Sequence, residues 1–142
     1  MSVISSNSIY EYKYTISMRD TDATGIVFHP RYLEILTAAR ESLAKEIGLD
    51  QTNILKQYGC VLVAHAIDIK FYQPCYLGEE IIVKTKIDRS HIAKIYITQE
   101  IEKADLAKNK VLNANLTFVY IDKKTMQPAP IPKELLSQLN QQ

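Results

Sequence analysis

No apolar run in this 142-residue sequence approaches the ~20 residues needed to cross a bilayer as a helix. Residues 1–8 are polar and carry no apolar leader segment, so a loose tail and a cytoplasmic location are expected. Only two cysteines are present, Cys60 and Cys75, and they lack CxxC spacing. A disulfide framework or a cysteine-based metal site is therefore not expected. The three histidines, His29, His65 and His91, make no ligand pattern, and no catalytic metal is expected. Charge of one sign is missing too: the formal net charge is +1 and the lysines are scattered. That argues against a nucleic-acid partner. What remains, 46% hydrophobic and 23% charged residues, is the composition of an ordinary globular domain. One domain over 1–142 is expected, long enough to build its core without covalent staples.

The hydrophobic pattern changes period along the chain. Tyr10, Tyr12, Tyr14, Ile16 and Met18 alternate with polar residues, a half-buried strand. Between Pro30 and Gly48 there is no glycine or proline. There Tyr32, Ile35, Leu36, Ala39, Leu43 and Ile47 recur at helical spacing, which predicts one long helix with a broad buried stripe. Asp50 to Gln57 is a shorter helix or a turn. Four strand-like segments follow. The first runs from Val61 to Phe71, with Val61, Val63, His65, Ile67, Ile69 and Phe71 on one face. The next is Ile81–Ile87, with Ile81, Val83, Thr85 and Ile87 inward. Ile92–Glu102 and Val111–Ile121 complete the set. Arg89-Ser90-His91 is the hairpin candidate between the middle pair. Lys103–Lys110 is a polar loop, and a short helix is expected over Pro132–Leu139. Short connections favour antiparallel meander pairing of the last four strands. The fold class is α+β, a five-stranded antiparallel sheet curled around one long helix.

The chemistry concentrates in Arg19-Asp20-Thr21-Asp22-Ala23-Thr24-Gly25-Ile26-Val27-Phe28-His29-Pro30-Arg31-Tyr32. This run joins the first strand to the long helix. It puts two carboxylates near a helix N-terminus, which offers unpaired N–H groups and the positive end of a dipole. A base or nucleophile beside such an end can attack a carbonyl and hold the resulting oxyanion. The plainer reading makes both acids turn-formers. Asp22, however, stands too far ahead of Pro30 to cap the helix. Its small and apolar neighbours predict partial desolvation and a raised pKa.

The pattern D-T-D-A-x-G-I-V-F-H-P-x-Y, after a strand and opening a long helix, resembles the active-site signature of the hotdog-fold hydroxybenzoyl-CoA thioesterase family. Within that family it is most similar to the Tol-Pal-associated acyl-CoA thioesterases. The resemblance covers residues 10–132. It implies an acyl-CoA thioesterase that needs no cofactor, coenzyme A being part of the substrate. It assigns Asp22 as general base or nucleophile and the His29 backbone N–H as the group that polarises the thioester carbonyl. The His29 side chain is a second candidate for proton transfer or substrate contact. Gly25 would allow a tight turn and close substrate approach, and Tyr32 would line the acyl pocket. Arg89, His91 and Lys94 would contact the phosphates of coenzyme A. A homodimer or homotetramer is implied, and acyl carrier protein is a possible partner. An aromatic acyl-CoA thioesterase, a hydratase of the same fold and a non-catalytic acyl-CoA or acyl-carrier-protein binding module stay open. On its apolar strand, His65 reads as a core or interface residue.

Overall fold

The computed structural model describes residues 9–105 and 109–141. The tail expected over 1–8 and the middle of the 103–110 loop lie outside them. The elements are β1 (Tyr10–Thr15), α1 (Arg31–Glu46), α2 (Gln51–Tyr58), β2 (Cys60–Phe71), β3 (Glu80–His91), β4 (Lys94–Lys103), β5 (Lys110–Asp122) and α3 (Lys133–Gln141). All strand pairs are antiparallel.

The long helix forms where the apolar spacing predicts it. Pro30 sits one position before its first residue with helical φ and ψ, and Gly48 takes φ +75 just past its end. Tyr32, Ile35, Leu36, Ala39 and Leu43 are its buried stripe. The first four pack on Ile81 and Val83 of β3, Ile101 of β4 and Leu112, Ala114 and Leu116 of β5. Each such apolar side chain contributes roughly 1.5–3 kcal/mol on full burial. At the far end of the helix a second cluster forms, in which Leu49, Ile54 of α2 and Leu135 and Leu139 of α3 close over Ile95 and Tyr120.

Four expectations need correction. The first strand stops at Thr15, because Met18–Asp20 winds into a 3-10 turn that ends the alternation and leaves Met18 exposed. The last four strands are not one meander. The sheet order is β1-β3-β4-β5-β2, so β2 pairs with β5 and its other edge is free. The alternation in β2 switches phase at His65, an extra residue between Ala64 and Ala66. As a result Ile67, Ile69 and Phe71 share the helix-side face with Leu62 and Ala64, not with Val61 and Val63. The hairpin turn is Ile92-Ala93, and Arg89 and His91 belong to β3. A bulge at Asp88 shifts the strand and carries it past the expected turn. Ile92 occupies the left-handed region at φ 52, unusual for a β-branched residue.

Candidate active site

The loop that carries Asp22 closes on itself. The Asp22 N–H donates to the Ile26 carbonyl at 2.9 Å, and the Gly25 N–H donates to the Asp22 carbonyl at 3.1 Å. Gly25 sits at φ +82, which a residue with a Cβ adopts only under strain. A strap over residues 75–79 holds the loop from outside. The Val27 N–H donates to the Cys75 carbonyl at 3.0 Å, and the Leu77 N–H donates to the Gly25 carbonyl at 2.9 Å.

Asp22 is exposed in this chain, against the expected desolvation. Its Oδ1 accepts from the Thr24 hydroxyl at 2.5 Å, the Thr24 N–H at 2.8 Å and the Ile26 N–H at 3.4 Å. The Thr24 hydroxyl, followed by the Thr24 amide, holds the pKa below 3.8 and outweighs a small opposing effect of burial. The expected upward shift is therefore corrected to a downward one: three donors stabilise the charged form. All three address Oδ1, and among the described residues Oδ2 has no partner.

Asp20 has a different role. It is fully buried and accepts from the Ser17 N–H at 2.8 Å, the Ser17 hydroxyl at 3.1 Å and the Tyr14 hydroxyl at 2.8 Å. Arg31 Nε, in the first turn of α1, donates to its Oδ1 at 2.6 Å. Burial pushes its pKa up, but Arg31, the Ser17 amide and the two hydroxyls outweigh that and lower it. The Phe28 N–H donates to the Asp20 carbonyl at 3.0 Å, so both ends of the loop are tied to one residue. Arg31 also pairs with Glu34 one turn on. Nothing in the sequence signalled this clamp, because Tyr14, Asp20 and Arg31 follow no short spacing.

At the helix start the Arg31, Tyr32 and Leu33 N–H groups donate to the carbonyls of Phe28, His29 and Pro30. The His29 amide is the one left over; among the described residues nothing accepts from it. His29 lines an open groove of about 330 Å³ together with Val27, Tyr32, Phe71, Tyr72, Gln73 and Pro74. Tyr32 is buried, its ring lies 5.7 Å from that of Phe71, and its hydroxyl accepts from the Cys75 N–H at 3.1 Å. Burial, followed by the Cys75 contact, pushes its pKa up, so it remains a neutral phenol that ties α1 to the strap. Phe71, expected only as the last residue of a strand, and Tyr72, which no sequence pattern singled out, both belong to the groove.

Asp22 and Gly25 thus share the closed loop, and His29 and Tyr32 line the groove that follows it. Arg89, His91 and Lys94 also come together, but elsewhere. His91 opposes Lys94 across the hairpin, and the Arg89 guanidinium lies 4.2 Å from the Tyr96 ring centroid. The Asp22 loop packs where β3 begins, whereas Arg89 lies near its other end. That separation is roughly 25 Å at ~3.3 Å per strand residue. His65, expected in a core or interface, is exposed at the β2 bulge in this chain.

A family model described as the thioesterase-like superfamily matches residues 16–139. The chain is 24% identical over 135 residues to the acyl-CoA thioester hydrolase YbgC of Escherichia coli O6:H1, covering 94% of this chain and 98% of that protein. It is 27% identical over 130 residues to the 1,4-dihydroxy-2-naphthoyl-CoA hydrolase of Rippkaea orientalis, covering 91% and 94%. In fold it is similar to the Synechocystis protein Slr0204, described as a 1,4-dihydroxy-2-naphthoyl-CoA thioesterase. The TM-score is 0.83 at 22% identity, over 92% of this chain and 95% of that one.

Proposed function

The chain belongs to the thioesterase-like superfamily, and from that premise we propose that it hydrolyses acyl-CoA thioesters with Asp22 as the reacting carboxylate. The observation that carries this reading is the pair of groups in one loop that have no partner among the described residues: Asp22 Oδ2 and the His29 N–H, seven residues apart.

In the general-base route, Oδ2 takes a proton from water as the water oxygen bonds to the thioester carbon. The carbonyl oxygen becomes an oxyanion and accepts from the His29 N–H at the positive end of α1. The carbon–sulfur bond then breaks, and the thiolate leaves and takes up the proton. In the nucleophilic route, Oδ2 itself bonds to the carbon, the thiolate leaves, and water hydrolyses the mixed anhydride. Both routes need an ionised Asp22, and the three donors to Oδ1 stabilise that charged form. No cofactor enters either route. The His29 ring, 5.6 Å from that of Phe28, borders the groove and contacts the substrate.

The reading extends to assembly. β2 presents a free edge with Val63 exposed beside it, which a second copy would cover by continuing the sheet. A homodimer built this way, alone or paired into a tetramer, gives Arg89, His91 and Lys94 a route to the phosphates of coenzyme A bound at a neighbouring site. The reading includes a cytoplasmic location and leaves acyl carrier protein as an alternative thioester carrier. The described residues contain no helix long and apolar enough to cross a membrane. The Tyr32–Phe71 pair favours one second reading, an aromatic acyl group. A thiol-release assay over short, long and aromatic acyl-CoAs separates the two. Turnover of at least one of them is expected, and binding without turnover of any would replace the enzyme with a binding module.

A further inference from the structure

The apolar space beside α1 continues well beyond the Asp22 loop. In the β2–β5 register, Phe71, Ile69 and Ile67 oppose Leu112, Ala114 and Leu116, and Ala64 and Leu62 oppose Phe118 and Tyr120. Opposed residues share a face, so these β2 side chains lie on the side that α1 covers. Over β5 that face is sealed, with Ala114 and Leu116 buried against the helix. Over β2 it is open: Ile67 is 43% exposed and Phe71 50%. Exposed apolar side chains of β2 therefore lie between the groove at Tyr32 and Phe71 and the space at Leu62 and Phe118.

At its far end is a cavity of about 200 Å³ walled by Thr37, Arg40, Leu62, Ile95, Ile97 and Phe118, with Glu41 and Gln51 also bordering it. A smaller cavity of about 90 Å³ shares Arg40, Leu62, Ile95 and Ile97 and is otherwise mostly aliphatic. Tyr120, whose hydroxyl is buried without a partner among the described residues, lines this inner space.

Arg40 is the anomaly here. One terminal nitrogen donates to Gln99 Oε1 at 2.8 Å and the other to the Thr37 hydroxyl at 3.0 Å. The guanidinium carbon stands 5.0 Å from the Phe118 ring centroid. Gln99 is fully buried and fixed by its own donations to Thr85 and to the Leu36 carbonyl, both at 3.0 Å, so its oxygen stays turned to Arg40. Both of its hydrogen-bond partners are neutral. Glu41 is exposed and makes no ion pair with it among the described residues. Burial lowers the Arg40 pKa and outweighs the opposing charge of Glu41, the sign of a largely desolvated cation that no hydrogen-bonded carboxylate neutralises among the described residues. Such an arrangement is costly unless an anion completes it.

We propose that Arg40 reads the far end of the acyl group, and that the enzyme acts on long-chain acyl thioesters bearing a carboxylate at their distal end. This rests on the thioesterase reading of the Asp22 loop. From His29 to Arg40 the helix rises about 16 Å at 1.5 Å per residue. An extended chain of on the order of twelve carbons spans that length with C–C bonds near 1.5 Å. Its thioester carbonyl would lie at the His29 amide, its methylenes along β2, and its carboxylate on the free N–H groups of Arg40. The pair would be charge-assisted, with Phe118 behind it. A plain alkyl chain would instead lay its methyl end against a desolvated cation.

The test compares dodecanedioyl-CoA with dodecanoyl-CoA on the full-length protein. The wild type is expected to show a kcat/KM at least about tenfold higher for the dioyl substrate, the scale of one hydrogen bond to a charged group. Arg40→Met is expected to invert that preference, and Arg40→Lys to keep its direction at a smaller ratio. Circular dichroism checks that both variants fold. If Arg40→Met does not fold, the wild-type ratio and the lysine variant decide. Equal rates on both substrates, or a preference for dodecanoyl-CoA by the wild type, overturn the inference and leave the thioesterase reading standing. No turnover of either, together with none across the wider panel, overturns both.

Discussion

Replacing Asp20 by asparagine removes one charge from the most tightly closed polar cluster near the site. Asp20 is fully buried and takes donors from Tyr14, Ser17 and Arg31. Asparagine is nearly isosteric but turns one acceptor oxygen into an NH₂ group. Either way it is placed, a donor then faces another donor, and Arg31, whose side chain is 19% exposed, loses its buried counter-charge. Removing one partner of a buried pair costs about 3–5 kcal/mol, and the partial exposure of Arg31 points to the lower end, about 3 kcal/mol. For a chain of this size that is a fall in Tm of about 10 °C. The pH dependence gives an independent check. The folded pKa of Asp20 is lowered, so its contribution is present above its unfolded value and fades as pH drops through the folded one. Urea melts between neutral pH and pH 3 are expected to show the wild type losing stability below about pH 4 and the variant losing less. A variant within about 0.5 kcal/mol of wild type at neutral pH would refute the clamp, since that is the scale of an indifferent surface change.

Thr24→Ala removes the largest influence holding Asp22 low, so the acid limb of kcat/KM should move up toward 3.8; an unmoved limb means that Asp22 does not set it. Ile92→Asn relieves a β-branched residue at φ 52 that is 64% exposed, and chemical denaturation should show a gain of about 1 kcal/mol. A loss there would show that the Ile92 side chain stabilises the hairpin. Val63→Asp puts a charge beside the free edge of β2, and sedimentation velocity should show monomers where the wild type is expected to sediment as the proposed dimer. An unchanged mass would move the interface elsewhere.

Much of this structure was legible because local patterns and tertiary packing agree in it. The buried stripe of α1 is the stripe that 3.6-residue spacing selects. Val83, Ile101 and Leu116 face inward as strand alternation requires. Two of the departures share a cause, since single extra residues leave little compositional trace. His65 in β2 and Asp88 in β3 each shift the strand phase by one, moving side chains to the other face. Strand order was misread because β2 pairs with a strand about 50 residues downstream, and chain proximity carries no information about that. At the site, the motif marked the loop and the helix end correctly, but the sign of the Asp22 pKa shift depended on where Thr24 points. Spacing does not encode that. The Asp20 clamp and the Arg40 cavity depend on contacts 11 and 59 residues apart.

The most direct test is thiol release by wild type and Asp22→Asn on the acyl-CoA that the panel shows to be turned over best. The exposed, solvent-facing position of Asp22 means that the substitution should leave the fold and Tm unchanged. The account predicts a fall in kcat of about 10²–10⁴, the range for loss of a positioned proton-transfer group. An Asp22→Asn protein that releases coenzyme A as fast as wild type would contradict it.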